Sequence, residues 1–110
     1  MKKYCLALDL INDSKLIEEY KAFHQNVWPE IIESIKDSGI LNLEIYSIYD
    51  RLFMIIEAND NFSFDEKSKA DHNNPKVQEW EELMWKFQKA LPESKNGEKW
   101  VLMDKIFELE

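Results

Sequence analysis

The order of the hydrophobic periodicities along the chain restricts its fold more than any other feature. Apolar side chains alternate with other residues over 4–10, 41–49 and 100–109, and a continuous apolar run covers 52–58. A period of two predicts strands with one face on a core. Helical spacings predict a helix over about 15–27, a second from Pro29 to just before Gly39, a helical turn around 64–70, and the longest helix from Pro75 to about Leu91. A loop over 92–97 precedes the last strand.

The predicted order is therefore β-α(α)-β-β-α-β. Because the short polar turn Tyr49-Asp50-Arg51 joins the second and third strands, these two strands form an antiparallel hairpin. The order is typical of an α+β, ferredoxin-like fold, in which a four-stranded antiparallel sheet carries its helices on one face. At 110 residues, we expect a single domain over 1–110.

The second face of such a sheet would be uncovered in a monomer. It would present small and apolar side chains, namely Cys5, Ala7, either Leu43 or Tyr46, and either Trp100 or Phe107. An apolar patch of this kind normally marks an interface. We therefore expect a homodimer of the dimeric α/β-barrel type, with sheet packed against sheet and a ligand cavity within each protomer.

Composition excludes several classes of partner. The chain has 14 Lys and Arg against 22 Asp and Glu, a net charge of −8, which disfavours nucleic acids and anionic membranes. Its one cysteine, Cys5, cannot form an intramolecular disulfide, and no stretch has the roughly 20 apolar residues of a membrane span. We expect a cytoplasmic protein. Motifs of nucleotide and zinc sites are missing from the sequence, so we expect neither cofactor nor metal.

Chemically useful side chains recur at four-residue spacing in Tyr20-x-x-x-His24-x-x-x-Trp28. On a helix they project along one edge, which offers a hydroxyl, an imidazole and a large ring. The same spacing also fits an ordinary amphipathic stripe with His24 at its polar margin. Trp80 in the last helix could stack on the apolar face of a sugar, and core packing is the alternative for it.

The residues that carry a family resemblance cover nearly the whole chain. They are Glu19-Tyr20, His24, Val27-Trp28-Pro29-Glu30, Ile45-Tyr46, Leu52-Phe53, and Val77-Gln78-Glu79-Trp80 before Met84. Together they resemble the L-rhamnose mutarotase family, and the H-x-x-V-W-P-E segment is the most specific part. The resemblance implies a dimeric ferredoxin-like enzyme that interconverts the α and β anomers of a 6-deoxy hexose without a cofactor.

Carried over by position, the resemblance implies that His24 is the acid/base residue, Tyr20 binds the sugar, and Trp80 lines the pocket. Trp28 completes the candidate binding residues. The chain departs from the family at two substrate-contacting positions: Glu81 replaces the second of two adjacent tryptophans, and Leu43 replaces a tyrosine. The departures leave open whether the sugar is L-rhamnose or L-fucose. The second acid/base group, and any contribution of the partner subunit, also stay open.

Two other functions use a similar fold. One is a haem-degrading or antibiotic-biosynthesis-type monooxygenase, which has an aromatic-lined cavity with a histidine. The other is a module that senses a sugar without catalysis. Similarity of fold does not separate these functions from a mutarotase.

Overall fold

The computed structural model describes residues 1–95 and 98–109, and its elements follow the predicted order. The strands are β1 (Lys2–Leu10), β2 (Ile40–Ile48), β3 (Arg51–Ala58), β4 (Gln88–Lys89) and β5 (Val101–Leu102). The helices are α1 (Ser14–Phe23), α2 (Pro29–Asp37), α3 (Phe64–His72) and α4 (Pro75–Met84). Asn96 and Gly97, the end of the predicted loop, lie outside the described residues. No helix in the described ranges is long and apolar enough to cross a membrane.

The sheet is antiparallel, with the order β2-β3-β1-β4, and β5 pairs with the same edge of β1 as part of this sheet. The prediction of an α+β, ferredoxin-like fold is confirmed. One detail differs from the prediction. Two strands of two residues each, β4 and β5, share the position that one long fourth strand was expected to fill.

Strand register divides the sheet into two unlike faces. On β1, Leu6, Leu8 and Leu10 are buried, whereas the alternate residues Cys5, Ala7 and Asp9 are only half-buried. The paired strand β3 repeats this alternation, with Leu52, Met54 and Ile56 in the core. The hydrophobic core therefore lies on one face, where apolar residues of the helices pack against these strands.

Helix α1 begins as expected but ends four residues early. The side chain of Asp13 accepts hydrogen bonds from the backbone N–H groups of Lys15 and Leu16, which caps the helix. After Phe23 the chain forms turns in which each backbone N–H donates a hydrogen bond to the carbonyl three residues earlier. Pro29 then starts α2, and Trp28 before it has an extended ψ of 136°.

Two predicted boundaries in the C-terminal part are wrong. Helix α4 ends at Met84 and not near Leu91, because residues 88–89 pair with the edge of β1 and Phe87 is buried in the core. The predicted strand over 100–109 pairs only at Val101–Leu102, and the chain leaves the sheet after Met103 donates to the carbonyl of Cys5. Helical or alternating spacing indicates which side chains face the core. Which residues pair as strands depends also on the sheet edge that the rest of the fold leaves open.

The open sheet face carries part of the apolar set expected there. Tyr46 lies directly opposite Phe53 on this face, and Ile48 is also exposed. Leu43 instead pairs with the buried Ile56 and lies on the helix side. Of the two alternatives Trp100 and Phe107, Trp100 packs against the core, whereas Phe107 is exposed.

Candidate active site

A cavity of about 820 Å³ lies between the helices and the core face of the sheet. Five of the six residues predicted from the sequence line it, namely Tyr20, His24, Leu43, Trp80 and Glu81. The sixth, Trp28, packs against Trp80 with ring centroids 5.0 Å apart and supports the wall of the cavity. The structure therefore gathers residues from α1 and its C-terminal end, from β2 and from α4 around one cavity.

His24 occupies the first position after α1 and is half-buried at the cavity. Its Nδ1 atom lies 2.8 Å from the backbone carbonyl oxygen of Tyr20. Because a carbonyl oxygen can only accept, Nδ1 carries the hydrogen in this bond, and Nε2 of the neutral ring carries a lone pair. In this arrangement, Nε2 of His24 can accept a hydrogen bond.

Tyr20 lies one helical turn earlier and is almost completely buried, with 3% of its surface exposed. The hydroxyl accepts a hydrogen bond of 3.1 Å from Nε2 of Gln88. Burial raises the pKa of Tyr20 to about 12, and the bond from Gln88 offsets only part of this rise. The phenol therefore keeps its proton at neutral pH. Since Gln88 acts as the donor, that proton is available to an oxygen atom in the cavity.

Aromatic rings form one wall of the cavity beside the imidazole. The ring centroid of His24 lies 5.8 Å from that of Trp80 and 4.4 Å from that of Tyr20. Phe23 contacts the edge of Trp80 from the core. These contacts hold Trp80 in place, so its indole presents a fixed apolar surface next to the base.

The two positions at which the sequence departs from the family resemblance, Leu43 and Glu81, both line the cavity. Leu43 contributes a half-buried aliphatic side chain from β2. Glu81 is half-buried on α4, and its backbone carbonyl accepts a hydrogen bond of 3.2 Å from Nζ of Lys99. Burial lowers the pKa of Lys99, and the charge of Glu81 opposes that shift.

Several polar residues that line the cavity were not predicted as site residues, among them Gln88 and Lys99. Gln88 was missed because helical spacing placed it inside the last predicted helix, outside the apolar stripe of that helix. Lys99 was missed because it follows a polar loop with no periodic pattern.

Comparison with known proteins agrees with this geometry. A family model described as L-rhamnose mutarotase matches residues 3–109. An L-fucose mutarotase from Xanthomonas campestris is 42% identical over 99% of this chain and 89% of that protein. An L-rhamnose mutarotase from Listeria monocytogenes is 32% identical over 68% of this chain and 70% of that protein. The crystal structure of an L-rhamnose mutarotase from Formosa agariphila has a TM-score of 0.73 at 20% identity, covering all of both chains.

The family match covers nearly the full sequence, and the structural likeness to the Formosa protein supports the same fold. These findings favour a mutarotase over the monooxygenase and sensing alternatives. Because the family model matches residues 3–109 and the Xanthomonas relative is 42% identical, the chain belongs to the L-rhamnose mutarotase family and is a sugar mutarotase, an isomerase.

Proposed function

We propose that this mutarotase acts on a 6-deoxy hexose, with L-fucose preferred to L-rhamnose, and that His24 is its acid/base residue. The observation that carries the assignment is the hydrogen bond from Nδ1 of His24 to the carbonyl of Tyr20. It leaves the Nε2 lone pair of a cavity-lining imidazole available for a proton.

In the proposed reaction, Nε2 of His24 takes the proton from the hydroxyl on C1 of the sugar. The electron pair of that O–H bond forms the C=O double bond. The bond between C1 and the ring oxygen breaks, and the ring oxygen keeps its electrons and takes the proton from the imidazolium. Rotation about the C1–C2 bond presents the other face of the aldehyde, and the reverse steps close the ring. General acid/base catalysis of this kind contributes about 10²–10⁴-fold.

The neighbouring residues have binding roles in this proposal. The protonated hydroxyl of Tyr20 donates a hydrogen bond to a sugar oxygen, and the indole of Trp80 packs against the C–H face of the ring. Trp28 acts through Trp80, since it packs against that ring. No covalent intermediate is needed, because the substrate and the product differ only at the anomeric carbon.

The preference for L-fucose rests on two observations. The L-fucose mutarotase of Xanthomonas is 42% identical, whereas the Listeria L-rhamnose mutarotase is 32% identical over a shorter part of the chain. Leu43 and Glu81, which replace two aromatic residues of the family pattern, line the same cavity. A carboxylate accepts hydrogen bonds from hydroxyl groups, and leucine makes only apolar contacts. Both changes alter which hydroxyl configuration the cavity favours.

The proposed functional unit is a single-domain homodimer in the cytoplasm. Tyr46, Ile48 and Phe53 form an apolar set on the sheet face opposite the helices. A second copy packed on this face would remove them from water. The chain's one cysteine, Cys5, is free, which fits a reducing compartment.

Saturation-transfer NMR tests the substrate assignment. The exchange rate between anomers is measured for L-fucose, L-rhamnose and D-galactose, with and without protein. We expect the largest acceleration for L-fucose, a smaller one for L-rhamnose and the smallest for D-galactose. Faster exchange with L-rhamnose than with L-fucose would contradict the proposed preference.

The same samples separate the other functions. A sugar that binds without any change in exchange rate would indicate a sensing module. A shift of the Soret band with one equivalent of haem per protomer would favour the monooxygenase. We expect neither result.

A further inference from the structure

Gln88 is a buried amide with only one of its two ends in a hydrogen bond. The residue is 5% exposed and lines the cavity. Its Nε2 atom donates to the hydroxyl of Tyr20 at 3.1 Å. Its Oε1 atom is buried and has no hydrogen-bond partner among residues 1–95 and 98–109. An unpaired buried acceptor destabilises the folded protein, so such an atom needs an explanation.

The backbone accounts for the direction of this side chain. Gln88 is paired with Leu10 in the short antiparallel ladder between β4 and β1. Side chains of directly paired residues project from the same face of a sheet. Because Leu10 is almost completely buried on the helix side, Gln88 must also project there. The unpaired oxygen is therefore held on the cavity side by the sheet.

Gln88 and Tyr20 offer complementary hydrogen-bonding groups to a ligand. Oε1 of Gln88 can only accept a hydrogen bond, and the hydroxyl of Tyr20, whose oxygen already accepts from Gln88, has a proton to donate. Each sugar hydroxyl has one proton to donate and lone pairs that accept. A ligand with hydroxyl groups on adjacent carbons can therefore satisfy both residues at once.

We propose that Oε1 of Gln88 accepts a hydrogen bond from a non-anomeric hydroxyl of the sugar, which makes Gln88 a specificity-determining residue of this cavity. The proposal deepens the proposed function, on which it rests for the identity of the ligand. Gln88 takes no part in proton transfer. Its loss should therefore raise KM and leave kcat nearly unchanged.

A cycle of protein and ligand changes tests this contact. Gln88→Met keeps the length of the side chain and removes the amide, and Gln25→Met makes the same change at an exposed residue. Both are assayed by NMR exchange with L-fucose and with its 2-deoxy, 3-deoxy and 4-deoxy analogues. A binding titration by tryptophan fluorescence accompanies each assay, since Trp80 lines the cavity.

We expect Gln88→Met to raise KM and Kd for L-fucose about 10- to 100-fold, which is the usual effect of leaving a buried hydroxyl unpaired. For one of the three deoxy sugars, the wild type should already bind weakly and Gln88→Met should cause little further loss. That sugar identifies the hydroxyl that Gln88 contacts. Gln25→Met should leave all values unchanged.

Gln88→Met also removes the hydrogen bond to the Tyr20 hydroxyl, and this change alone can weaken sugar binding. The cycle is therefore repeated in a Tyr20→Phe background. There, Gln88→Met should still weaken L-fucose and spare the same deoxy sugar. Equal losses for L-fucose and all three analogues, or no loss in the Tyr20→Phe background, would overturn the proposal.

The two readouts separate this proposal from the proposed function. If the wild type binds sugars without accelerating exchange, the proposed function fails, and the pattern of Kd values still decides the role of Gln88. If the wild type accelerates exchange and Gln88→Met shows no hydroxyl-specific loss, only the role of Gln88 fails. Unchanged thermal stability of ligand-free Gln88→Met within a few degrees confirms that the variant is folded.

Discussion

The Nδ1 atom of His24 lies 2.8 Å from the carbonyl oxygen of Tyr20, one turn earlier in the chain. Carbonyl groups in the last turn of a helix lack backbone partners within the helix. Nδ1 of His24 fills this role for α1, and the lone pair of Nε2 takes no part in this contact. One contact therefore both closes the helix and sets the protonation pattern of the base.

Replacement of His24 separates these two roles. We expect His24→Ala to slow anomer exchange at least tenfold, because the imidazole proposed to accept the anomeric proton is then missing. His24→Asn is the matched control, since its amide can still donate to the Tyr20 carbonyl but cannot act as a base. Both variants should remain folded by circular dichroism. Wild-type exchange rates in His24→Asn would refute the role of the imidazole.

Burial of Tyr20 should appear in the pH dependence of stability. Because folding raises the pKa of Tyr20 from its usual value of 10.0 to about 12, the folded state favours the protonated phenol. The stabilisation is complete below pH 10 and is lost as the pH rises through 12.

Urea unfolding of the wild type and Tyr20→Phe at pH 8 and pH 11 measures this effect. The free energy of unfolding should fall by about 1 kcal/mol more in the wild type than in Tyr20→Phe over this interval. Other titrating groups are common to both proteins and cancel in the difference. Parallel pH profiles would show that Tyr20 ionises as readily in the folded protein as in the unfolded chain.

Two substitutions that restore the family pattern should change sugar preference. We expect Leu43→Tyr together with Glu81→Trp to lower the ratio of kcat/KM for L-fucose to that for L-rhamnose about tenfold, which corresponds to about 1.4 kcal/mol. Both positions line the cavity, so the change acts on substrate contacts. Each single variant serves as a control for the other. An unchanged ratio would place the determinants of preference elsewhere in the cavity.

Trp80 should contribute more to sugar binding than to proton transfer. Trp80→Phe keeps an aromatic ring but removes part of the wall, and we expect KM to rise several-fold with a small change in kcat. Trp85→Phe is the matched control, because Trp85 is more than one-third exposed and does not itself line the cavity; its ring contacts the cavity residue Lys99 from outside, through a cation–π interaction. Equal effects of the two variants on KM would contradict stacking on Trp80.

The open sheet face predicts the oligomeric state. Phe53→Glu places a charge at the centre of this face, opposite Tyr46, and should convert the proposed dimer to a monomer in sedimentation experiments. Phe53→Leu should remain dimeric because it keeps an apolar side chain. The exchange rate of the monomer then reports whether the partner contributes to the cavity. A wild type that sediments as a monomer would refute the dimer.

Much of the fold could be predicted because β1, α1, α2, β2 and β3 have strong periodicity, whereas the polar α3, with no buried residue, was predicted only as a helical turn. The alternation in β1 and the spacing of Tyr20 and His24 both locate side chains relative to the core. Gly39 also behaves as expected for the end of α2. Its φ of +95° suits glycine, and a Cβ atom there would lie 2.7 Å from Nδ2 of Asn59.

The sheet edge beside β1 could not be predicted in the same way. Helical spacing continues past Met84, yet the chain leaves the helix because Gln88 and Lys89 form backbone pairs with β1. Such pairing depends on which edge the rest of the fold leaves open, and no local pattern records it. The cavity residue Gln88 was missed for the same reason, whereas Tyr20, His24 and Trp80 could be placed from helical spacing and family resemblance.

Because β4 is only two residues long, the number of residues between α4 and β4 decides which side chain stands at the position of Gln88. Two register pairs, Asp9 with Lys89 and Leu10 with Gln88, hold this strand in place, next to a hydrogen bond from the N–H of Ile11 to the carbonyl of Phe87. Deletion of one residue between Met84 and Phe87 would bring Lys89 to the place of Gln88, and so replace a neutral amide with an ammonium group. Insertions and deletions at this point are therefore a route by which related enzymes could exchange one sugar for another.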